Sequence, residues 1–333
     1  MILLVATGGT ISGRLGGEGT YAASASGADL LSRIDPAVAA SVSPVDFSRK
    51  LSFEVTLDEW LDLAFKIHGW NEDPGIAAIL VVQGTALLEE VPFLVSLFVQ
   101  PQKPIVFTGA MVPGDRPDSD AVGNLVDALA VCRDPQSTAY GPLVVMGGLA
   151  ITAETVRKAH RQSRNSITST DAPVADVSGS LIRWRLPPIS RMKPFKAVAL
   201  ARNVPLLKMV LGIERELVEA ILSTNPSGLV LEGFPGGGGL PVDIAAIVKR
   251  EVTQIPIVLG SRSPEGSIGD LAGGRSGSGV LLRAGLISSG RMMSEKARLL
   301  LMAAVANAPA GTDVVGRARA AFSDYLEVSS DRT

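Results

Sequence analysis

The chain has 333 residues, 46% hydrophobic and 19% charged, with a formal net charge of −2. That length and composition describe a globular chain of two domains with ample core, and the near-neutral charge gives no attraction to nucleic acid or to acidic membrane surfaces. The single cysteine, Cys132, excludes an intramolecular disulfide, the two histidines, His68 and His160, leave no Cys/His metal cluster, and no apolar run approaches a membrane span.

Residues 1–6 (MILLVA) form a continuous apolar run suited to a strand buried on both faces of a parallel sheet. The run is too short for a secretory leader and lacks a basic start, so the expected location is cytoplasmic. Thr7-Gly8-Gly9-Thr10-Ile11 turns the chain at the strand's carboxyl end, where ligands bind in open α/β sheets. Its glycines let the backbone approach a ligand and leave the hydroxyls of Thr7 and Thr10 at the crevice edge. The turn reads as a tight turn, a phosphate loop or the seat of a threonine nucleophile; the phosphate reading lacks both GxxxxGK[ST] and GxGxxG. Residues 13–27, rich in Gly, Ser and Ala and holding Tyr21, read as an irregular loop, either a connector or an active-site lid. A helix is expected over 29–40 and a strand over 44–55, with Ser52 near its end. Another helix is expected over 57–67, with Asp58 and Glu59 in the first turn, where the helix dipole favours negative charge.

Residues 76–82 (IAAILVV) make a second buried strand that also ends in a Gly-Thr turn, Gln83-Gly84-Thr85-Ala86. A helix over 87–99, a strand over 104–108, the loop Gly109-Ala110-Met111-Val112-Pro113, a helix over 124–132 that buries Cys132, and a strand over 141–146 follow. This alternation indicates a doubly wound α/β domain. The basic stretch 157–161 reads, on composition alone, as a solvated face. The proline-bearing segment 186–203 reads as a linker. Beyond it come a strand over 205–209, a helix over 215–223, a strand over 228–231, four glycines at 236–239, a helix over 242–252 and a strand over 255–260. A Gly/Ser-rich loop to 279 then leads to a terminal helix over 294–306 capped by Ser294, and the polar tail after 329 is expected to fray.

Together these motifs resemble the bacterial-type (type I/II) L-asparaginase family. The resemblance runs from TGGTI at 7–11, through QGTALLEE at 83–90 (similar to the family's HGTDTLEE), TGAMVP at 108–113 followed by Asn124, and Ser261-Arg262, to EKARLLLMAAVA at 295–306. It covers nearly the whole chain. It implies an α/β fold of two domains: a larger flavodoxin-like, three-layer N-terminal domain over 1–186, a linker over 187–204 and a smaller C-terminal α/β domain with a parallel sheet over 205–330. It further implies an amidohydrolase for a small-molecule amide, with no cofactor, no metal, and neither nucleic acid nor membrane as partner. Self-association to a homodimer or homotetramer is implied too, the site being completed by the C-terminal domain of a neighbouring subunit.

Carried over position by position, the resemblance makes Thr10 the nucleophile and Tyr21 its lid partner. Thr85 becomes the second threonine, Lys158 its base, which replaces the solvated-face reading there, and Ser52 the holder of a substrate carboxylate. Gly9, Gly84, Ala86 and Ala110 line the substrate. The chemistry is coherent: a hydroxyl is a weak nucleophile until a base takes its proton, and burial lets a lysine act as that base. Backbone N–H groups at the two Gly-Thr turns suit an oxyanion.

Three departures mark a divergent member. The aspartate that normally follows the second threonine is Ala86, the asparagine of the C-terminal Gly-rich turn falls at about Gly239, and a glutamate falls near Gly273, with Asp270 the nearest carboxylate. All three missing groups normally surround a substrate α-ammonium. The expected reaction is therefore cleavage of a linear amide, lactam or cyclic imide other than free L-asparagine. Two alternatives are an L-asparaginase/glutaminase in which Asp270 replaces the lost carboxylate, and a catalytically silent binding protein on the same scaffold. Lys158, without the aspartate, is expected to lose its proton at lower pH than its family counterpart.

Overall fold

The computed structural model describes residues 1–16, 19–270, 272–309, 311 and 313–330, with side chains described as far as 327. The chain divides into two compact units, Met1–Pro188 and Ile189–Thr333. In the first unit the order is β1 (Ile2–Gly8), β2 (Gly13–Leu15), β3 (Tyr21–Ala23), α1 (Gly27–Leu31), α2 (Pro36–Ala39), β4 (Val42–Lys50), α3 (Leu57–Glu72), β5 (Ala78–Val82), α4 (Val91–Ser96), β6 (Ile105–Thr108), α5 (Ala121–Arg133) and β7 (Leu143–Met146). Five short strands complete it: β8 (Leu149–Thr152), β9 (Val156–Lys158), β10 (Ile167–Ser169), β11 (Ala175–Ser178) and β12 (Leu181–Trp184).

The main sheet has eight strands in the order β12-β11-β8-β7-β6-β5-β1-β4. Strands β4, β1, β5, β6 and β7 run parallel, and β8, β11 and β12 extend the sheet antiparallel. In chain order the parallel part runs second-first-third-fourth-fifth, the flavodoxin-like arrangement. The apolar runs explain it: every residue of β1 and of β5 is buried. Ile2, Leu4 and Ala6 face one side with Leu125, Ala128 and Leu129 of α5 and Leu30 of α1. Leu63, Ala64 and Ile67 of α3, all fully buried, lie outside that cluster, and α3 packs on β5 and α4. Helices thus cover the sheet in three layers. Cys132 is buried at the end of α5, and burial pushes its thiol pKa up.

Local chemistry moves several boundaries. The segment expected as one helix is two, because Ser26 and Asp29 cap α1 reciprocally and Asp35 caps α2 just before Pro36. Strand β4 ends at Lys50, so Ser52 sits on a 3-10 turn, Ser52–Glu54, instead of a strand. Helix α3 starts at a Thr56–Glu59 capping box and runs on to Glu72. Helix α4 starts only at Val91, since Thr85–Leu87 is a 3-10 turn and Pro92 falls in the first turn. The glycine-rich segment after β1 contains the hairpin β2–β3; its residues 17 and 18 lie outside the described ones.

The second unit runs β13 (Leu206–Lys208), α6 (Arg215–Ser223), β14 (Leu229–Gly233), α7 (Val242–Glu251), β15 (Ile257–Ser261), α8 (Ser278–Ala284), β16 (Ile287–Ser288), α9 (Ser294–Ala306) and α10 (Val314–Ser330). Its four strands pair in chain order and all run parallel. Val218, Ile244 and Leu281 of three helices pack on Leu229, Leu231 and Leu259, while α9 lies against β14 and β15. Helix α9 is not terminal, since α10 follows it. Ser294 does not cap α9: Met293 holds that position, and Ser294 is buried as the first helical residue. Of the tail expected to fray, residues 331–333 lie outside those described. No described helix is long and apolar enough to cross a membrane.

Candidate active site

Between β1 and β5 the strand order reverses direction, and an open α/β sheet has its crevice at that point, beyond the carboxyl ends. Both Gly-Thr turns emerge there. The register Ile2↔Ala78 to Ala6↔Val82 brings them level. Gly9 holds φ 79°, and a Cβ there would fall 2.2 Å from the Gly84 Cα, so the two turns touch backbone to backbone. A Cβ on Gly84 would lie 2.7 Å from Ser52 Oγ and 3.2 Å from the Gly9 Cα, so Ser52 borders the same contact. The Gly9 N–H donates to Lys50 O at 3.0 Å and ties the first turn to the end of β4. Thr7, expected at the crevice edge, is instead buried and donates its hydroxyl to Val82 O at 3.1 Å. Thr10, half-buried, opens the 3-10 turn Thr10–Ser12.

Thr85 is buried, and Lys158 Nζ donates to its Oγ1 at 2.7 Å. Lys158 ends β9, which pairs antiparallel with β10 and thereby presents the lysine to a turn 73 residues away in the chain. Burial holds the Lys158 pKa below its ordinary value, and the Glu89 carboxylate opposes that shift. Glu89 Oε1 accepts the Lys158 backbone N–H at 2.6 Å. A carboxylate still stands beside Lys158: Glu89, four residues after Thr85. Ala86 itself is exposed.

The third loop is fixed from below. Gly109 lies against the second turn, where a Cβ would be 2.8 Å from Gln83 O and 3.0 Å from Thr85 Cγ2. Asn124 donates to Gly109 O and accepts from the Gly147 N–H, both at 3.0 Å. Asp120 accepts the N–H groups of Met111 and Val112, at 3.0 and 2.9 Å. Ala110, next in the loop, is fully buried.

Tyr21 lies on β3 opposite Leu15, and β3 packs on the 3-10 turn that Thr10 opens. Its hydroxyl neighbours the Arg116 guanidinium. The Leu15 N–H donates to Asp115 Oδ2 at 2.8 Å, Arg116 pairs with Asp118 at 2.8 Å, and Asp118 pairs with Arg164 at 3.1 Å. Arg164 lies between β9 and β10, so one chain of polar contacts joins the Tyr21 hairpin to the Lys158 hairpin. In the second unit, Gly239 follows β14, and Asp270 and Gly273 follow β15; Asp270 is exposed. Among the described residues no group of three or more His, Cys, Asp or Glu could hold a metal ion.

Sequence reasoning missed Glu89, Asp120 and Arg116. Glu89 stands in a stretch already singled out, QGTALLEE, four residues from Thr85, the spacing that returns a side chain to one side of a helical turn. Arg116 carries no such signal, since its neighbours arrive from two distant hairpins.

A profile described as "Asparaginase, N-terminal" matches residues 1–190, and one described as "Glutaminase/Asparaginase C-terminal domain" matches residues 203–315. A probable L-asparaginase of Deinococcus radiodurans is 32% identical over 231 residues, covering 68% of this chain and 70% of that protein. The L-asparaginase of Bacillus licheniformis is 24% identical over 311 residues, 92% of this chain and 95% of that protein. The thermostable L-asparaginase from Thermococcus kodakarensis superposes with a TM-score of 0.81 at 25% identity, covering 96% of each chain. The chain belongs to the asparaginase family, hydrolases of the asparaginase/glutaminase type acting on carbon–nitrogen bonds other than peptide bonds.

Proposed function

We propose that this protein is an amidohydrolase that works through Thr10 on an amide, lactam or cyclic imide lacking the free α-ammonium of asparagine. Thr10 Oγ gives up its proton and bonds to the carbonyl carbon, and the leaving nitrogen takes up that proton as the C–N bond breaks. Water then cleaves the threonyl ester. Lys158, whose pKa burial lowers, takes the proton of the Thr85 hydroxyl or of a water held there. N–H groups of the Gly9 and Gly84 turns stabilise the oxyanion, Ser52 receives a substrate carboxylate, Ala110 backs the pocket and Tyr21 closes over Thr10.

The observation that carries this reading is the 2.7 Å bond between Lys158 Nζ and Thr85 Oγ1, with the lysine pKa lowered by burial. The substrate preference rests on Ala86. At that exposed position an ammonium finds no carboxylate to pair with, and such a pair is worth up to about 1 kcal/mol, roughly fivefold in rate. A second reading, hydrolysis of asparagine with Asp270 supplying the carboxylate, is favoured by the exposure of Asp270 at the carboxyl edge of the second sheet. A homotetrameric assembly in the cytoplasm accompanies the first reading.

Hydrolysis of asparagine and of succinamic acid, its analogue without the amino group, separates the two. Succinamic acid is expected to be the better substrate, and Thr10→Val to cost orders of magnitude in rate. Asparagine turnover with no succinamic acid turnover would overturn the substrate reading; near-normal rates in Thr10→Val would overturn the nucleophile.

A further inference from the structure

The carboxylates near the two 3-10 turns bordering the site are already engaged. Glu54 accepts the Leu51 N–H at 2.9 Å. Glu59 accepts from Lys50 Nζ at 2.6 Å and from the Thr56 N–H at 2.7 Å, and Lys50 brings its pKa down to about 2. Glu89 is held on the Lys158 N–H. What the same turns leave open is apolar. Phe53, directly after Ser52, is 69% exposed, Ala86 is exposed and Leu87 half-buried. The turn Ser52–Glu54 packs on the turn Thr85–Leu87, and Ser52 Oγ borders Gly84. An exposed phenylalanine thus stands next to the carboxylate-holding serine, on a turn that adjoins the position where the second threonine motif has lost its charge. A ring left in water gains by taking an apolar partner.

We propose that Phe53 is a specificity-determining residue: with Ala86 and Leu87 it forms an apolar shelf for an acyl or aryl group that the substrate carries in place of a free ammonium. The substrate class is then an N-acylated or otherwise apolar-substituted amide acid. This rests on the site assignment above, with Ser52 holding the carboxylate. The shelf selects by contact area, and one or two methylenes' worth of such contact already separates ligands by roughly 10- to 200-fold.

Equilibrium binding to the full-length protein tests the shelf without requiring turnover. Calorimetry would compare N-benzoyl-L-aspartate, succinate and L-aspartate, product-like acids that share the carboxylates, on the unaltered chain, Phe53→Ser and Phe53→Leu. N-benzoyl-L-aspartate is expected to bind at least about tenfold more tightly than the other two, Phe53→Ser to erase that margin, and Phe53→Leu to recover part of it. Succinate affinity should stay within about twofold throughout. Equal affinities on the unaltered chain, or a margin that survives Phe53→Ser, would overturn the proposal. So would a change of oligomeric mass in Phe53→Ser by light scattering, which would make Phe53 a subunit contact. Failure of Thr10→Val to lose activity would leave these affinities untouched, so the shelf and the nucleophile fail separately.

Discussion

Replacing Glu89 by glutamine removes a charge and little else. The glutamine carbonyl still accepts the Lys158 backbone N–H that Glu89 Oε1 now accepts at 2.6 Å, so β9 keeps its anchor. The carboxylate raises the Lys158 pKa against the larger lowering from burial, so its removal leaves burial unopposed. Both side chains are half-buried, and the attraction lost from such a pair is about 1 kcal/mol. The sign follows from the proposed role of Lys158 as base, active only when uncharged. With Lys158 as that base the rate rises with pH through the lysine pKa, and the rising limb of kcat/KM against pH should move lower in Glu89→Gln. Ala86→Asp places a carboxylate next to Thr85 and should move the same limb upward. The assay is a full pH profile on any amide the protein hydrolyses, at constant ionic strength. A Glu89→Gln limb that stays in place or moves up would refute both the base assignment and the electrostatic argument.

Other expectations follow from distances already given. Gly9→Ala drives a methyl into the Gly84 backbone at a φ that side chains rarely adopt; strain and overpacking together should cost about 3–5 kcal/mol. A fall in Tm on the order of 10 °C would register it, and an unchanged melting curve would contradict the stacked turns. Asp118 bridges Arg116 and Arg164 in pairs that are half-exposed, each worth up to about 1 kcal/mol. Asp118→Asn should therefore lower kcat/KM by no more than about thirtyfold, and rising salt should bring the unaltered protein down towards the variant. Equal salt sensitivity in the two proteins would remove the contact chain between the hairpins from the account.

The parallel strands were legible because strands buried on both faces need unbroken apolar runs, as in MILLVA and IAAILVV. The antiparallel extension was not. Strands β9, β10 and β12 are three or four residues long and half-exposed, too short for any period to register. Helix ends were misjudged where a side-chain bond outweighed the apolar pattern, as Asp35 and Pro36 do between α1 and α2. In the site, Thr10, Ser52, Thr85 and Lys158 were legible as parts of recurring patterns, whereas the hold of Glu89 on Lys158 spans 69 residues and depends on how β9 pairs. Arg116 lay beyond reach for the same reason. Its partners meet only after two hairpins have formed.

The backbone contact between Gly9 and Gly84 divides the site by how freely it can vary. On that side neither turn has room for one more carbon, and a larger residue in one cannot be compensated by a smaller one in the other, because both are already at zero. The apparatus around the two threonines is locked in sequence space by geometry alone. Ala86 and Phe53, by contrast, are exposed. If Phe53 and Ala86 face the substrate as proposed, new preferences are a single substitution away from the present ones. A saturation library at positions 53 and 86 should yield many folded proteins of altered selectivity, and one at 9 and 84 almost none.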